Sequence, residues 1–149
     1  MKTIALRFGE HFAPSCGTIA AHQKIIDELG YVWYGKLGNT VSDKIVAEIM
    51  ANDTPKVLLI NSGKADRYWA NIVEIKKTTP EANGIPEYYR ENSNNFRTWF
   101  KVVSFDVAPK NIMRQCCVAS SGAPLSEASK HSMSPYFIIE YNEDKELSV

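Results

Sequence analysis

This chain lacks net charge, long apolar runs and more than a handful of cysteines. Its 17 Lys and Arg offset 17 Asp and Glu over 149 residues, so composition alone supplies no general attraction to polyanions or to an anionic membrane surface. No apolar run approaches the roughly 20 residues of a membrane-crossing helix, and the opening MKTIALRFGEHF lacks the apolar core of a secretory leader. Cys16, Cys116 and Cys117 do not make a disulfide framework, which points to the reducing cytoplasm. No Cys-x-x-Cys, His-x-x-x-His or His-Glu-x-x-His occurs, so neither a zinc site nor any other cofactor is expected.

Signals for catalysis are equally scarce. A Cys–His nucleophile needs one of the three cysteines brought to His11, His22 or His131 with an orienting third group, and nothing in their spacing suggests it. Glu10, Asp27, Glu28, Asp43 and Glu48 fall where solvated charges would. The segment SSGAPLSEASKHSMS has six serines and a Lys–His pair, yet no Gly-x-Ser-x-Gly nucleophile elbow. It reads as an irregular segment whose hydroxyls satisfy backbone groups. The chain is therefore expected not to be an enzyme.

What is present suits one domain, residues 1–142, followed by an acidic tail or linker over 143–149. TIALRF reads as a strand. SCGTIAAHQKIIDELG reads as a helix capped by Ser15, with Ile19, Ile25, Ile26 and Leu29 on its apolar face and Gly30 as its stop. YVWYG is a strand, and SDKIVAEIMAND is a second helix capped by Ser42. KVLLIN and RYWANIVEIKK form an antiparallel pair. Residues 78–95, rich in Pro, Gly and Asn, predict a long loop of functional kind. FRTWFKVVSFDV, CCVAS and SPYFIIEY are further strands, with one helical turn in APKNIMRQ. The sum is an α+β fold of about six strands, a mixed sheet curled into a partly open β-barrel with two main helices packed on it.

Between KVLLIN and RYWANIVEI stands NSGKAD. A phosphate-cradling P-loop needs several backbone N–H groups converging before a helix. Here Ala65 stands where Ser or Thr is required and a strand follows, so NSGKAD is a turn, with Gly63 able to adopt φ > 0. The aromatic residues are more informative. Trp33 with Tyr34, Tyr68 with Trp69, and Trp99 with Phe100 are adjacent pairs on strands, while Tyr88 and Tyr89 occupy the long loop. Adjacent strand residues face opposite ways, so one ring of each pair is expected in the core and the other exposed. Exposed rings would suit a flat base, since stacking is worth about 1–3 kcal/mol per base.

The ordered set VWYG, INSGKADRYWANIVEI, TWFKVVSFDVAP and APLSEASK resembles a YTH or EVE-type domain of the PUA-like superfamily, over roughly residues 30–130. The resemblance implies a reader of DNA or RNA that holds one modified base in an aromatic cage beside a basic groove. It implies that Trp33 stacks on the base, with Tyr34 beside it, and that Tyr88 or Tyr89 closes the cage. Trp69 belongs to the same candidate set, and Asn61 or Ser62 would read the base edge. Lys64, Arg67, Arg97 and Lys101 would meet phosphates, and Lys130 falls near the phosphate-contacting Arg of such domains. Tyr34 is bulkier than the usual residue, and no Trp occupies the long loop. Such domains resemble targeting modules of modification-dependent restriction systems, so a further domain or partner subunit would supply enzymatic activity. Two other readings remain open: a protein-interaction or dimerisation module, and a small RNA- or nucleoside-directed hydrolase.

Overall fold

A computed structural model describes residues 1–10, 13–62, 64–90, 95–132 and 134–142. His11, Gly63 and the acidic segment 143–149 lie outside the described residues. Seven strands form one mixed sheet: β1 (Lys2–Phe8), β2 (Val32–Leu37), β3 (Lys56–Asn61), β4 (Arg67–Lys76), β5 (Phe96–Val107), β6 (Cys116–Val118) and β7 (Tyr136–Tyr141). Their order is β2-β5-β4-β3-β1-β7-β6, with β1 and β3 parallel and every other pair antiparallel. The expectation of about six strands in a partly open barrel is corrected in its count: among the described residues there are seven, and β2 and β6 remain edges, so the sheet curls without its hydrogen-bonded ladder closing into a barrel.

The α+β class stands. Among the described residues five α-helices accompany the sheet: α1 (Thr18–Leu29), α2 (Asp43–Met50), α3 (Glu87–Arg90), α4 (Ile112–Gln115) and α5 (Leu125–His131). Among the described residues no helix is long and apolar enough to cross a membrane.

Period-2 alternation divides the core. Ile4, Leu6, Phe8, Val57, Leu59, Tyr34 and Phe100 face α1 and α2. Their sequence neighbours face the other way: Ala5, Leu58, Ile60 and Trp69 pack on α4 and α5, while Trp33, Phe96 and Trp99 pack with Ile85. Both faces are covered, so both rings of the Trp33–Tyr34 and Trp99–Phe100 pairs are buried, while Tyr68 beside buried Trp69 is half-buried. Trp33 is 2% exposed and Tyr34 4%, which corrects the expectation of one buried and one exposed ring. Each fully buried side chain of the size of Ile4, Leu59 or Phe100 contributes about 1.5–3 kcal/mol.

Local chemistry sets the helix ends. Ser42 Oγ accepts from Ile45 N–H at 3.3 Å, the expected cap of α2. Ser15 does not cap α1. The helix starts after Gly17, and the Glu10 carboxylate, from the end of β1, accepts the Thr18 N–H at 3.2 Å. At the far end Gly30 adopts φ 87°, the left-handed stop its residue type permits. The buried face of α1 is centred on Thr18 and His22, one turn apart, with Ile19, Ile25 and Ile26 flanking at half burial and Leu29 exposed. The segment expected to be irregular around residues 123–132 contains α5, whose Leu125 is fully buried.

Candidate functional site

The sheet curls until edge strand β2 faces β1 and β7 across an unbonded seam. A cavity of about 650 Å³ fills that seam. Leu6, Arg7, Phe8 and Gly9 from the end of β1 make one wall, and Tyr34, Gly35, Lys36 and Leu37 of β2 make the opposite one. Tyr88, Tyr89 and Phe96, from the 78–95 connection and the start of β5, complete it. The volume and the mostly apolar, aromatic lining are those of a small-molecule site.

Gly35 permits this construction. A Cβ there would stand 2.8 Å from Phe96 Cγ and 3.0 Å from Trp99 Cζ3, so only glycine lets β2 lie against those rings. The rings continue behind the wall, with centroid distances of 4.5 Å for Tyr88–Tyr89 and 4.8 Å for Tyr89–Phe96. His22 is fully buried among them, 5.0 Å from Tyr34 and 5.3 Å from Tyr89. Its Nδ1 lies 2.8 Å from Thr18 O, which can only accept, so the proton sits on Nδ1. Nε2 has no hydrogen-bond partner among the described residues. Burial holds the imidazole pKa down at about 4, against a smaller opposing effect of the Thr18 bond, so the ring is neutral near pH 7. Burial likewise pushes the Tyr34 and Tyr89 phenols well up, and both stay protonated donors.

Two cations complete the lining. Lys36 is 6% exposed, and its amine donates to Leu37 O at 3.2 Å and Asn39 O at 2.7 Å while lying 4.3 Å from the centre of the Tyr136 ring. Burial lowers its pKa. Arg7 donates from Nε to Ser134 O and from Nη2 to Ser129 O and Ser132 O, at 2.6–2.9 Å. Among the described lining residues no carboxylate faces either cation. Nor, among those residues, do His, Cys, Asp and Glu side chains gather in a group of three that could hold a metal ion.

Of the residues singled out in the sequence, Tyr34, Tyr88 and Tyr89 meet in this cavity. Trp33 does not line it. It sits on the opposite face of β2, packed with Ile85, Phe96 and Trp99, its Nε1 donating to Glu81 Oε1 at 3.2 Å. Trp69 is farther off, packed on the α4–α5 side, its ring 5.1 Å from Tyr141. Asn61 and Lys64 line a second, separate hollow of about 440 Å³ beside Glu10 and Tyr68, and Ser62 is exposed next to it in the chain. Arg67 turns back on Ala65 O at 2.6 Å, and Lys101 lies 4.5 Å from the Tyr31 ring centre. Arg97 and Lys130 are exposed on β5 and α5. None of these five cations lines the seam cavity.

Arg7, Lys36, Gly35 and His22 escaped notice in the sequence as parts of a site. One signal was available: Lys36 interrupts an otherwise apolar strand, VWYGKL, where a solvated lysine would be out of place.

Sequence comparison adds the family. The Pua-like profile matches residues 4–147, nearly the whole chain. The chain belongs to the Pua-like family. No curated protein and no solved structure matches it. Pua-like domains generally bind nucleic acids, and the seam cavity of this one brings together Tyr34, Tyr88, Tyr89 and Phe96 with Arg7 and Lys36.

Proposed function

We propose that this Pua-like domain is a non-enzymatic nucleic-acid reader of YTH/EVE type that accepts one base, carrying a modification such as a methyl group, in the seam cavity. The observation that carries the reading is the cavity itself: about 650 Å³, walled by Tyr34, Tyr88, Tyr89 and Phe96. A base taken out of its stack exchanges stacked neighbours for these rings, at about 1–3 kcal/mol per stacked base. A methyl on an exocyclic amine adds apolar surface that such walls desolvate. The phenols, held protonated, can donate to base oxygens and ring nitrogens. Trp33 takes a supporting role, since it packs with Phe96 behind the wall. In this reading the domain works in the cytoplasm as a targeting module, and a further domain or partner subunit supplies any enzymatic step.

Binding of labelled single- and double-stranded oligonucleotides tests it, with and without N6-methyladenine or 5-methylcytosine, for wild type and Tyr89→Leu. Preference for one modified strand, weakened about tenfold or more in the variant, is expected. Equal affinity for modified and unmodified strands would leave a nucleic-acid binder without modified-base specificity. No binding even at low salt would end the reader proposal.

A further inference from the structure

Resting on the reading above, we propose that Lys36 and Arg7 meet the phosphate of the nucleotide whose base enters the seam cavity. The ligand is then a phosphorylated nucleotide unit, and neither a bare nucleobase nor a nucleoside. The cations come from strands that do not pair, yet they line the same cavity. Lys36 faces two carbonyls and a ring, and Arg7 faces three carbonyls, with the Phe137 ring 5.5 Å from its guanidinium carbon. All these partners are neutral, and they orient the charges without cancelling them. Of the chain's 17 acidic residues none is among the described residues lining the cavity; Glu10, next to Gly9, is the carboxylate that acts on the Tyr34, Tyr88 and Tyr89 phenols, and it is engaged by the Thr18 N–H.

Burying an ammonium without a counter-ion costs free energy, and losing part of its charge is the usual escape. An anion entering the cavity restores the balance, and its charge-assisted hydrogen bonds strengthen where water is excluded. A purely structural role explains part of the arrangement. Arg7 reaches carbonyls at and just beyond the end of α5, where positive charge is favourable. Lys36 stands at no helix end, and for its two carbonyls a neutral donor would serve.

The test starts from the best-bound oligonucleotide of the panel above, its matching nucleoside and that nucleoside's 5′-monophosphate. In wild type the monophosphate should compete for the cavity better than the nucleoside, and the oligonucleotide should bind with a salt dependence reflecting this contact. Lys36→Met should weaken oligonucleotide binding about tenfold and reduce the slope of log affinity against log salt by about 0.7, the share of one phosphate on a single strand. It should also erase the monophosphate's advantage, and Lys36→Arg should restore part of it. Lys110→Met, at an exposed position between β5 and α4 away from the cavity lining, serves as the control and should leave that advantage intact. If the monophosphate competes no better than the nucleoside in wild type, the proposal fails even should Lys36→Met not fold. A monophosphate matching the oligonucleotide would point to a free nucleotide as the ligand, and one far weaker to a strand, with the phosphate site upheld in both. A folded Lys36→Met that binds with unchanged slope overturns the phosphate site while the base reader survives. Absence of all binding by wild type overturns both.

Discussion

Trp33 and Tyr34 are neighbours in the chain and stand on opposite faces of one strand, and their surroundings differ in kind. Around Trp33 lie Ile85, Phe96 and Trp99, packed closely enough that even a methyl on Gly84 or Gly35 would collide. Around Tyr34 lie His22, Tyr88 and Tyr89, and beyond them open space. The first cluster takes tryptophans, whose large rings fill volume. The second takes tyrosines and a histidine, whose polar tips tolerate a changing neighbour. Aromatic content marks both equally, so the polar tip and the adjoining void distinguish a candidate site from a core.

The largest expected effect lies in the closed cluster. Trp99→Ala should lower stability by about 3–5 kcal/mol in chemical denaturation. A loss below about 1 kcal/mol would show that this cluster is as loose as the other. His22 probes the open cluster through pH. Its folded pKa, about 4, lies below the unfolded 6.5, so between these values the unfolded chain binds the extra proton. The contribution is fully present above pH 6.5, falls as the pH drops from 6.5 to 4, and falls no further below that. The loss is on the order of 3 kcal/mol. Urea midpoints of wild type and His22→Leu, taken at pH 7 and pH 4.5, should converge at the lower pH, and parallel behaviour would contradict a buried neutral imidazole. The smallest effect belongs to Glu81, which accepts from the Tyr31 hydroxyl and from Trp33 Nε1 and so ties the 78–95 segment onto β2. Glu81→Ala should cost about 1 kcal/mol and leave oligonucleotide binding unchanged. A large loss of binding would mean that the closed cluster also shapes the pocket.

Much of the fold was legible because its signals are local. Ser42 caps α2 through its own side chain, Gly30 stops α1, and KVLLIN with RYWANIVEIK pairs across a short turn. The cap of α1 was not legible, because Glu10 reaches Thr18 from eight residues away. α5 was hidden by serines, which suit turns as well as helices, and it holds by burying Leu125. The site was half visible. Tyr34, Tyr88 and Tyr89 stood out as aromatic, but which of two adjacent rings faces the cavity depends on what covers each side of the sheet. Arg7 and Lys36 stand 29 positions apart on strands that never pair, and only the curl of the sheet brings them to opposite walls of one cavity.

Strand β1 sits between β3 and β7, with Lys2 opposite Glu140 and Leu6 opposite Tyr136. Pairing across so many residues is slow, because loop closure comes before any reward in contacts. Until β7 arrives, one edge of β1 carries unpaired N–H and C=O groups, open to pairing with another chain. The Arg7 guanidinium is also unaimed at that stage, for its three acceptors lie at Ser129, Ser132 and Ser134, just before β7. Completing the sheet and aiming the Arg7 guanidinium thus depend on the same short stretch of chain, and a molecule without the β7 pairing has both an open edge on β1 and an undirected cation.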